Sequence, residues 1–298
     1  MATVEPVLNI SAVERETGLS KDVLRKWETR YGFPTPLRDA NGERVYPAEQ
    51  VSRLRLIKRL MDAGLRPSRI VGEDEEKLAA LAGERHVSTA TAEADALALL
   101  RIHDPDGLRQ HLQRLMLKQG LGSFVLDTIA PLNHGVGDAW ARGELEIHEE
   151  HLYTDSVQWV LRNAIASVSD RKGRPRVLLT TLPEEPHGLG ILMVAALLAL
   201  EGAYCISLGA QTPAEDIARA VRTHAVDVVV LSFSIAYPPR RILPALEELR
   251  QRVGSEVQVW GGGAGTARLH RSPGEGRLLL PTLEDALRAL DEWRAQPR

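Results

Sequence analysis

From Arg176 onward, five short apolar runs alternate with helical patterns. The runs are Arg176–Leu182, Tyr204–Leu208, Asp227–Ser232, Glu256–Trp260 and Arg277–Leu280. Between and after them lie Gly188–Glu201, Pro213–Thr223, Pro238–Val253 and a closing helix at Leu283–Trp293. Short apolar strands joined by helices require a parallel sheet covered on both faces. Ligands of such sheets sit beyond the carboxyl ends of the strands. The four segments that reach this edge are "TLPEEPHGLG", "LGAQTP", "SFSIAYPP" and "WGGGAG". Glycines there let a ligand approach the backbone closely. The Gly261-Gly262-Gly263 run resembles a phosphate loop, but the Lys-Ser/Thr of a P-loop is missing. The dinucleotide pattern GxGxxG is also absent from the first strand–helix turn.

His187 stands on that first turn, two residues after Glu185 and three before Gly190. A neutral imidazole is a good transition-metal ligand, and its second nitrogen needs a fixed partner to set the tautomer. Glu185 is the candidate partner. The acidic-x-His-x-x-Gly spacing is weak by itself; its position after the first strand of an α/β unit makes it informative.

Ahead of the sheet, a polar, alanine-rich stretch at 72–95 reads as a linker with some helix. Four helical patterns then follow, at Thr89–Ile102, Asp106–Lys118, Leu121–Arg142 and Glu146–Val168. Short joining loops predict an antiparallel bundle. In "GDAWARGELEIHEEH", Trp140 is followed by nine residues and then Glu150-His151. Alone, these read as packing and surface residues; a bundle preceding an α/β domain makes them candidates for a cap over a ligand.

The amino-terminal stretch has a different character. Residues 1–71 carry a formal charge of +4 and the remainder −7, a basic head on an acidic body. "NISAVERETGLSKDVLRKWETRYG" predicts two helices, the first capped by Ser11 with Glu14 as a capping box and stopped at Gly18, the second capped by Ser20. Val23, Leu24 and Trp27 share one face, leaving Lys21, Arg25, Lys26 and Arg30 outward, as in a DNA-reading helix-turn-helix. Asn41-Gly42 predicts a hairpin with Arg38 and Arg44 on its arms, a wing suited to phosphates.

"ISAVERETGLSKDVLRKWETRYGFPTPLRDANGERVYPAEQV" resembles the amino-terminal domain of MerR-family transcription regulators over about residues 7–72. The "LRxWExRYGFPxPxR" and "G-x-R-x-Y" patterns resemble the branch that carries cobalamin modules. The resemblance implies that Arg25, Arg30, Tyr31, Arg38 and Arg44 face operator DNA. "EPHGLG" resembles the cobalamin-binding signature. It implies His187 as the lower cobalt ligand, Glu185 as its partner and Gly190 at a helix start beside the nucleotide tail. It also implies Ser232 and Ser234 in the tail pocket, with "SFS" where the family has "SxL", and Gly261 and Gly262 flanking the buried base. The W-x9-E-H match implies Trp140, Glu150 and His151 on the upper, adenosyl side. With all three modules in this order, the chain resembles the adenosylcobalamin-dependent photoreceptor repressors of the CarH/LitR type. In that pattern a histidine follows the cap tryptophan and takes the upper cobalt face after photolysis; here the position is Ala141. His134, His148, His151 or water are the substitutes.

The expected architecture is multidomain α plus α/β: a winged helix-turn-helix head at 1–75, linker and four-helix-bundle cap at 76–172, and a doubly wound, five-stranded, Rossmann-like cobalamin-binding domain at 173–298. The expected protein is a light-responsive regulator, a repressor by resemblance, with no catalytic residues. It is expected to bind double-stranded operator DNA and adenosylcobalamin, and to form a dark tetramer that becomes smaller in light. A light-blind cobalamin sensor and a corrinoid module of a methyltransferase or mutase are the alternatives, the latter opposed by the DNA-reading head and the lack of a substrate barrel. A single cysteine, Cys205, excludes an internal disulfide and suits a reducing cytoplasm. No signal-peptide pattern is read, and the longest apolar run, Ile191–Leu200, is too short to span a bilayer.

Overall fold

The computed structural model describes residues 7–39, 42–62, 65–267, 269 and 273–296. Asn41, of the expected Asn41-Gly42 turn, lies outside them. The chain divides into two compact units, Met1–Ala92 and Glu93–Arg298.

The first unit is built on two short helices, α1 (Ile10–Thr17) and α2 (Lys21–Tyr31). The cap of α1 is Asn9, whose side chain accepts the Ala12 N–H at 2.9 Å. Ser11 was the expected cap, but strand pairing of residues 7–9 places the chain's turn into the helix two residues earlier. Glu14 accepts the Lys21 N–H at 3.3 Å instead of closing a capping box. Gly18 takes a left-handed conformation (φ 70) and ends α1, and Ser20 caps α2 as expected. The wing pairs β2 (Leu37–Arg38) with β3 (Arg44–Pro47), and β1 (Val7–Asn9) adds on the other side, giving an antiparallel sheet ordered β1-β3-β2. Helices α3 (Ala48–Asp62) and α4 (Pro67–Ile70) follow. Val13, Leu24, Trp27, Tyr46, Leu54 and Ile57 form the buried core.

The stretch expected as linker with some helix is helical from its fourth residue on: α5 runs continuously from Glu75 to Arg101. Asp74 caps it by accepting the Lys77 N–H at 2.8 Å, and alanine, leucine and glutamate propagate it without a proline to stop it.

In the second unit, α6 (Pro105–Gln119) and α9 (Ile147–Val168) pack together with the segment Leu121–Ala141. That segment, expected as one helix, is a short turn α7 (Leu121–Ser123), a π-helical stretch Phe124–Ile129 and α8 (Ala130–Ala141). Pro131 has no N–H to donate one turn back, and the Ala130 N–H reaches five residues back to the Val125 carbonyl.

The sheet has β4 (Arg176–Thr180), β5 (Tyr204–Gly209), β6 (Val228–Ser232), β7 (Gln258–Gly262) and β8 (Arg277–Leu280), all parallel and ordered β5-β4-β6-β7-β8. The connections are α10 (Leu189–Leu200), α11 (Ala214–His224) and α12 (Pro239–Val253), and α13 (Leu283–Ala295) closes the chain. Helices α11 and α12 bury Ile217, Val221, Ile242 and Leu246 on one face, while α10 and α13 bury Ile191, Ala195, Leu198 and Leu290 on the other. Helix α10 is apolar all round, and its Leu192, Ala196 and Leu197 enter the bundle core as well. The order of strands reverses direction between β4 and β6, so the loops after these two strands open a crevice at the carboxyl edge. No helix among the described residues is long and apolar enough to cross a membrane.

Candidate functional site

The turn after β4 carries Glu184 in a left-handed backbone conformation (φ 75). It sends Glu185 inward and His187 outward: Glu185 is 1% exposed, while the His187 side chain is 60% exposed. One Glu185 oxygen, Oε1, accepts the His187 backbone N–H at 3.1 Å and meets His187 Nδ1 at 2.6 Å. The other, Oε2, accepts the Ser234 N–H at 2.7 Å from the loop after β6. Burial pushes this carboxyl up, but the Ser234 and His187 donors outweigh it and hold it below the usual carboxylate value. The ionised carboxylate can only accept, so Nδ1 carries the proton and the ring's free lone pair is on Nε2. That is the tautomer a metal needs from an imidazole.

The turn itself is pinned from below. Thr181 Oγ1 donates to the Glu185 carbonyl at 2.5 Å and accepts the Gln211 N–H at 2.8 Å, tying the loops after β4 and β5 together.

The two predicted serines divide in role. Ser234 orients Glu185 through its backbone. Ser232 lies against two glycines: a Cβ on Gly190 would come within 2.9 Å of its Oγ, and one on Gly263 within 3.2 Å. Gly263 also has φ 92 and lies against the Phe233 carbonyl. This Gly190–Ser232–Gly263 crevice, walled by backbone and one small hydroxyl, suits a slender polar tail. Gly261, by contrast, points its missing Cβ at Leu246 and Phe233, and Gly262 at the Leu280 carbonyl. Both are explained by protein packing within the sheet layers.

In the bundle, Trp140 is exposed at the end of α8 and His151 is exposed on α9. They line one open depression of about 930 Å³, together with Ala141, Leu145 and His148. Glu150 Oε1 accepts the Thr154 hydroxyl at 2.7 Å, and its other oxygen lies 3.8 Å from His151 Nε2. Of the three histidines considered in place of Ala141, His134 is tied to the Ala130 carbonyl at 2.7 Å. His148 and His151 share the depression with Trp140.

In the first unit, Arg25, Lys26, Thr29, Arg30 and Tyr31 line one depression of about 590 Å³ on α2. Arg25 lies 3.5 Å from Asp22, and Arg30 stacks 5.3 Å from the Tyr31 ring centre. Lys21 lies 3.7 Å from Glu14. On the wing, Arg38 donates to the Gly42 carbonyl at 2.7 Å. Arg44 grips Glu28 of α2 through two bonds of 3.0 and 3.5 Å, so it fastens the wing to the helix.

Residues 8–73 match the model of the MerR HTH family regulatory proteins, and two B12 binding domain models match residues 92–164 and 175–276. The chain is 30% identical to the HTH-type transcriptional repressor CarH of Myxococcus xanthus over 277 residues, covering 90% of this chain and 92% of that one. This chain belongs to the CarH-type transcription regulators. It is also 30% identical to the repressor CarA of the same organism over 266 residues, covering 86% and 87% of the two chains. The monomethylamine corrinoid protein of Methanosarcina barkeri shares the fold, with a TM-score of 0.51 at 14% identity, covering 66% of this chain and 96% of that one.

A CarH-type regulator couples a DNA-reading head to cobalamin-binding domains, and the chain is a regulator, not an enzyme. The residues present fit the cofactor: an outward imidazole of the right tautomer and a glycine-walled crevice share the carboxyl edge of the sheet. Three contributors escaped sequence reasoning: the Ser234 backbone N–H, Thr181 and Gly263. A threonine pair ending an otherwise apolar strand was the signal for Thr181. Nothing local marks the Ser234 N–H, which depends on how two distant loops meet.

Proposed function

We propose that this chain is a light-responsive repressor in which adenosylcobalamin is held between the bundle and the sheet, with its cobalt on Nε2 of His187. Three modules carry it: residues 1–75 read operator DNA, 76–172 cap the cofactor and 173–298 bind it. The carrying observation is the Glu185–His187 pair at the crevice where strand order reverses. Glu185 keeps the imidazole in one tautomer and at one angle. The crevice of Gly190, Ser232 and Gly263 receives the nucleotide tail, with Ser234 bracing Glu185 beside it. Trp140, Glu150 and His151 stand on the upper side and exclude water from it.

When bound, adenosylcobalamin supplies a weak, light-labile cobalt–carbon bond. The chain's own part is to make its packing depend on the group occupying the space beside Trp140, so that loss of that group loosens a surface used for association. Lys21, Arg25, Lys26, Arg30 and Tyr31 of α2 enter the operator, and Arg38 on the wing contacts phosphate, with Arg44 holding the wing in place. Linking several heads multiplies affinity, so association alone switches repression. A light-blind cobalamin sensor is the second reading. Ala141 bears instead on the lit form: it cannot ligate a metal, so water, or His148 or His151 of the same depression, would have to serve in its place after photolysis.

His187→Ala tests the assignment. The expected variant folds, since the ring is exposed, but binds cobalamin much more weakly. It also loses the nitrogen hyperfine splitting of the reduced cobalt(II) form in electron paramagnetic resonance. Unchanged splitting removes His187 from the cobalt.

A further inference from the structure

The corner between α5 and α6 gathers groups that neither the DNA-reading head nor the His187 site uses. His103 sits just past the end of α5 with a left-handed backbone (φ 55), its N–H closing on the Leu100 carbonyl at 2.9 Å. Glycine or asparagine ordinarily fills such a helix-ending position. Here the residue carries an imidazole toward the start of α9. Its ring centre lies 5.2 Å from that of His148, tilted by 41°. Its Nδ1 lies 4.0 Å from Glu149 Oε1. Glu149 is 7% exposed, and its other oxygen accepts the Glu146 N–H at 2.8 Å. The ligand atoms of His103, His148 and Glu149 all lie within 4.8 Å of one another. A further oxygen is at hand, with Glu146 Oε2 lying 3.3 Å from His148 Nδ1.

Two imidazoles and one carboxylate are the donor set of zinc and its first-row neighbours. Donors around a tetrahedral zinc stand about 3.3 Å apart. Both rings are exposed, so small rotations close the remaining distance around an ion. The carboxylate is already oriented by the backbone N–H that its second oxygen accepts, as outer partners orient metal ligands.

We propose that His103, His148 and Glu149 bind one divalent transition-metal ion of the zinc class, at a site independent of His187. Glu146 or water completes its coordination. The ion fastens the start of α9 to the α5–α6 corner. That start precedes Glu150 and His151 and borders the depression beside Trp140. A metal there also commits His148 and removes it from the histidines able to replace the one absent at Ala141.

The test uses the full-length chain, free of cobalamin and of any histidine tag. Zinc chloride is titrated calorimetrically, and cobalt(II) chloride is followed by its visible d–d absorption. One ion per chain is expected. His103→Asn, which tolerates the left-handed backbone, and His148→Ala should each weaken zinc binding by at least about tenfold and abolish the cobalt(II) bands. His187→Ala should leave both measurements unchanged. The proposal is overturned if no stoichiometric binding is seen. It is equally overturned if His103→Asn and His148→Ala bind zinc like the parent, or if binding disappears with His187.

Discussion

A carboxylate as deeply buried as Glu185 would ordinarily be driven toward its neutral form. Three donors reverse that: the backbone N–H groups of His187 and Ser234 and the His187 ring. Its folded-state value therefore lies below the unfolded one, near 4.5. A group with that sign stabilises the fold above the unfolded value, and the contribution fades as pH falls through the folded one. Glu185→Ala should cost about 2 kcal/mol at neutral pH, because it leaves the part-buried Ser234 N–H without its acceptor. In urea denaturation the gap from the parent should narrow as pH drops below about 4.5. A gap independent of pH would mean that the charge contributes nothing. At this scale the site was partly legible. Spacing alone paired Glu185 with His187, since both lie on one turn. The Ser234 donor comes from the loop after β6, and no local pattern encodes which backbone N–H a distant loop will offer.

Helices, strands and turns obey stricter steric terms. Gly263 combines φ 92 with close approach to the rigid Phe233 carbonyl, so Gly263→Ala should destabilise the second unit by about 3 kcal/mol. Gly190→Ala meets only the Ser232 hydroxyl, which can rotate away. It should unfold within about 1 kcal/mol of the parent yet lose cobalamin affinity, because the displaced hydroxyl and the new methyl narrow the crevice. Equilibrium denaturation beside a cobalamin titration separates the two variants. The wing makes a similar distinction. Arg38→Ala should lower DNA affinity with little sequence bias and reduce the salt slope by about one. Arg44→Ala should weaken binding by releasing Glu28, and adding Glu28→Ala should recover part of the loss; mobility shifts over a salt series check both. The sheet, its helices and the helix-turn-helix were all legible because apolar periodicity encodes them. The cap of α1 was misplaced because strand β1 lies only three residues long before it, too short to read. The break at Phe124–Ile129 was missed because its cause, Pro131, lies downstream of its effect.

For the molecule as a whole, the decisive quantity is mass. Size-exclusion chromatography with light scattering on the adenosylcobalamin-loaded chain should give a tetramer in the dark and a smaller species after green light, with operator affinity falling in step. Equal mass and equal affinity before and after illumination would favour the light-blind sensor. The boundary at 172–173, drawn between the last helix of the bundle and the first strand, has a further meaning once α10 is considered. That helix presents Ile191, Ala195 and Leu198 to the sheet and Leu192, Ala196 and Leu197 to the bundle. It belongs to both cores, and only its last residue, Leu200, is exposed to water. A fragment beginning at residue 173 would carry a greasy scar where the bundle had been, and would seek a substitute in its own copies. The sensing half of this chain is therefore not a detachable cartridge: grafted onto another reader, it must travel with its helical partner or arrive as an aggregate.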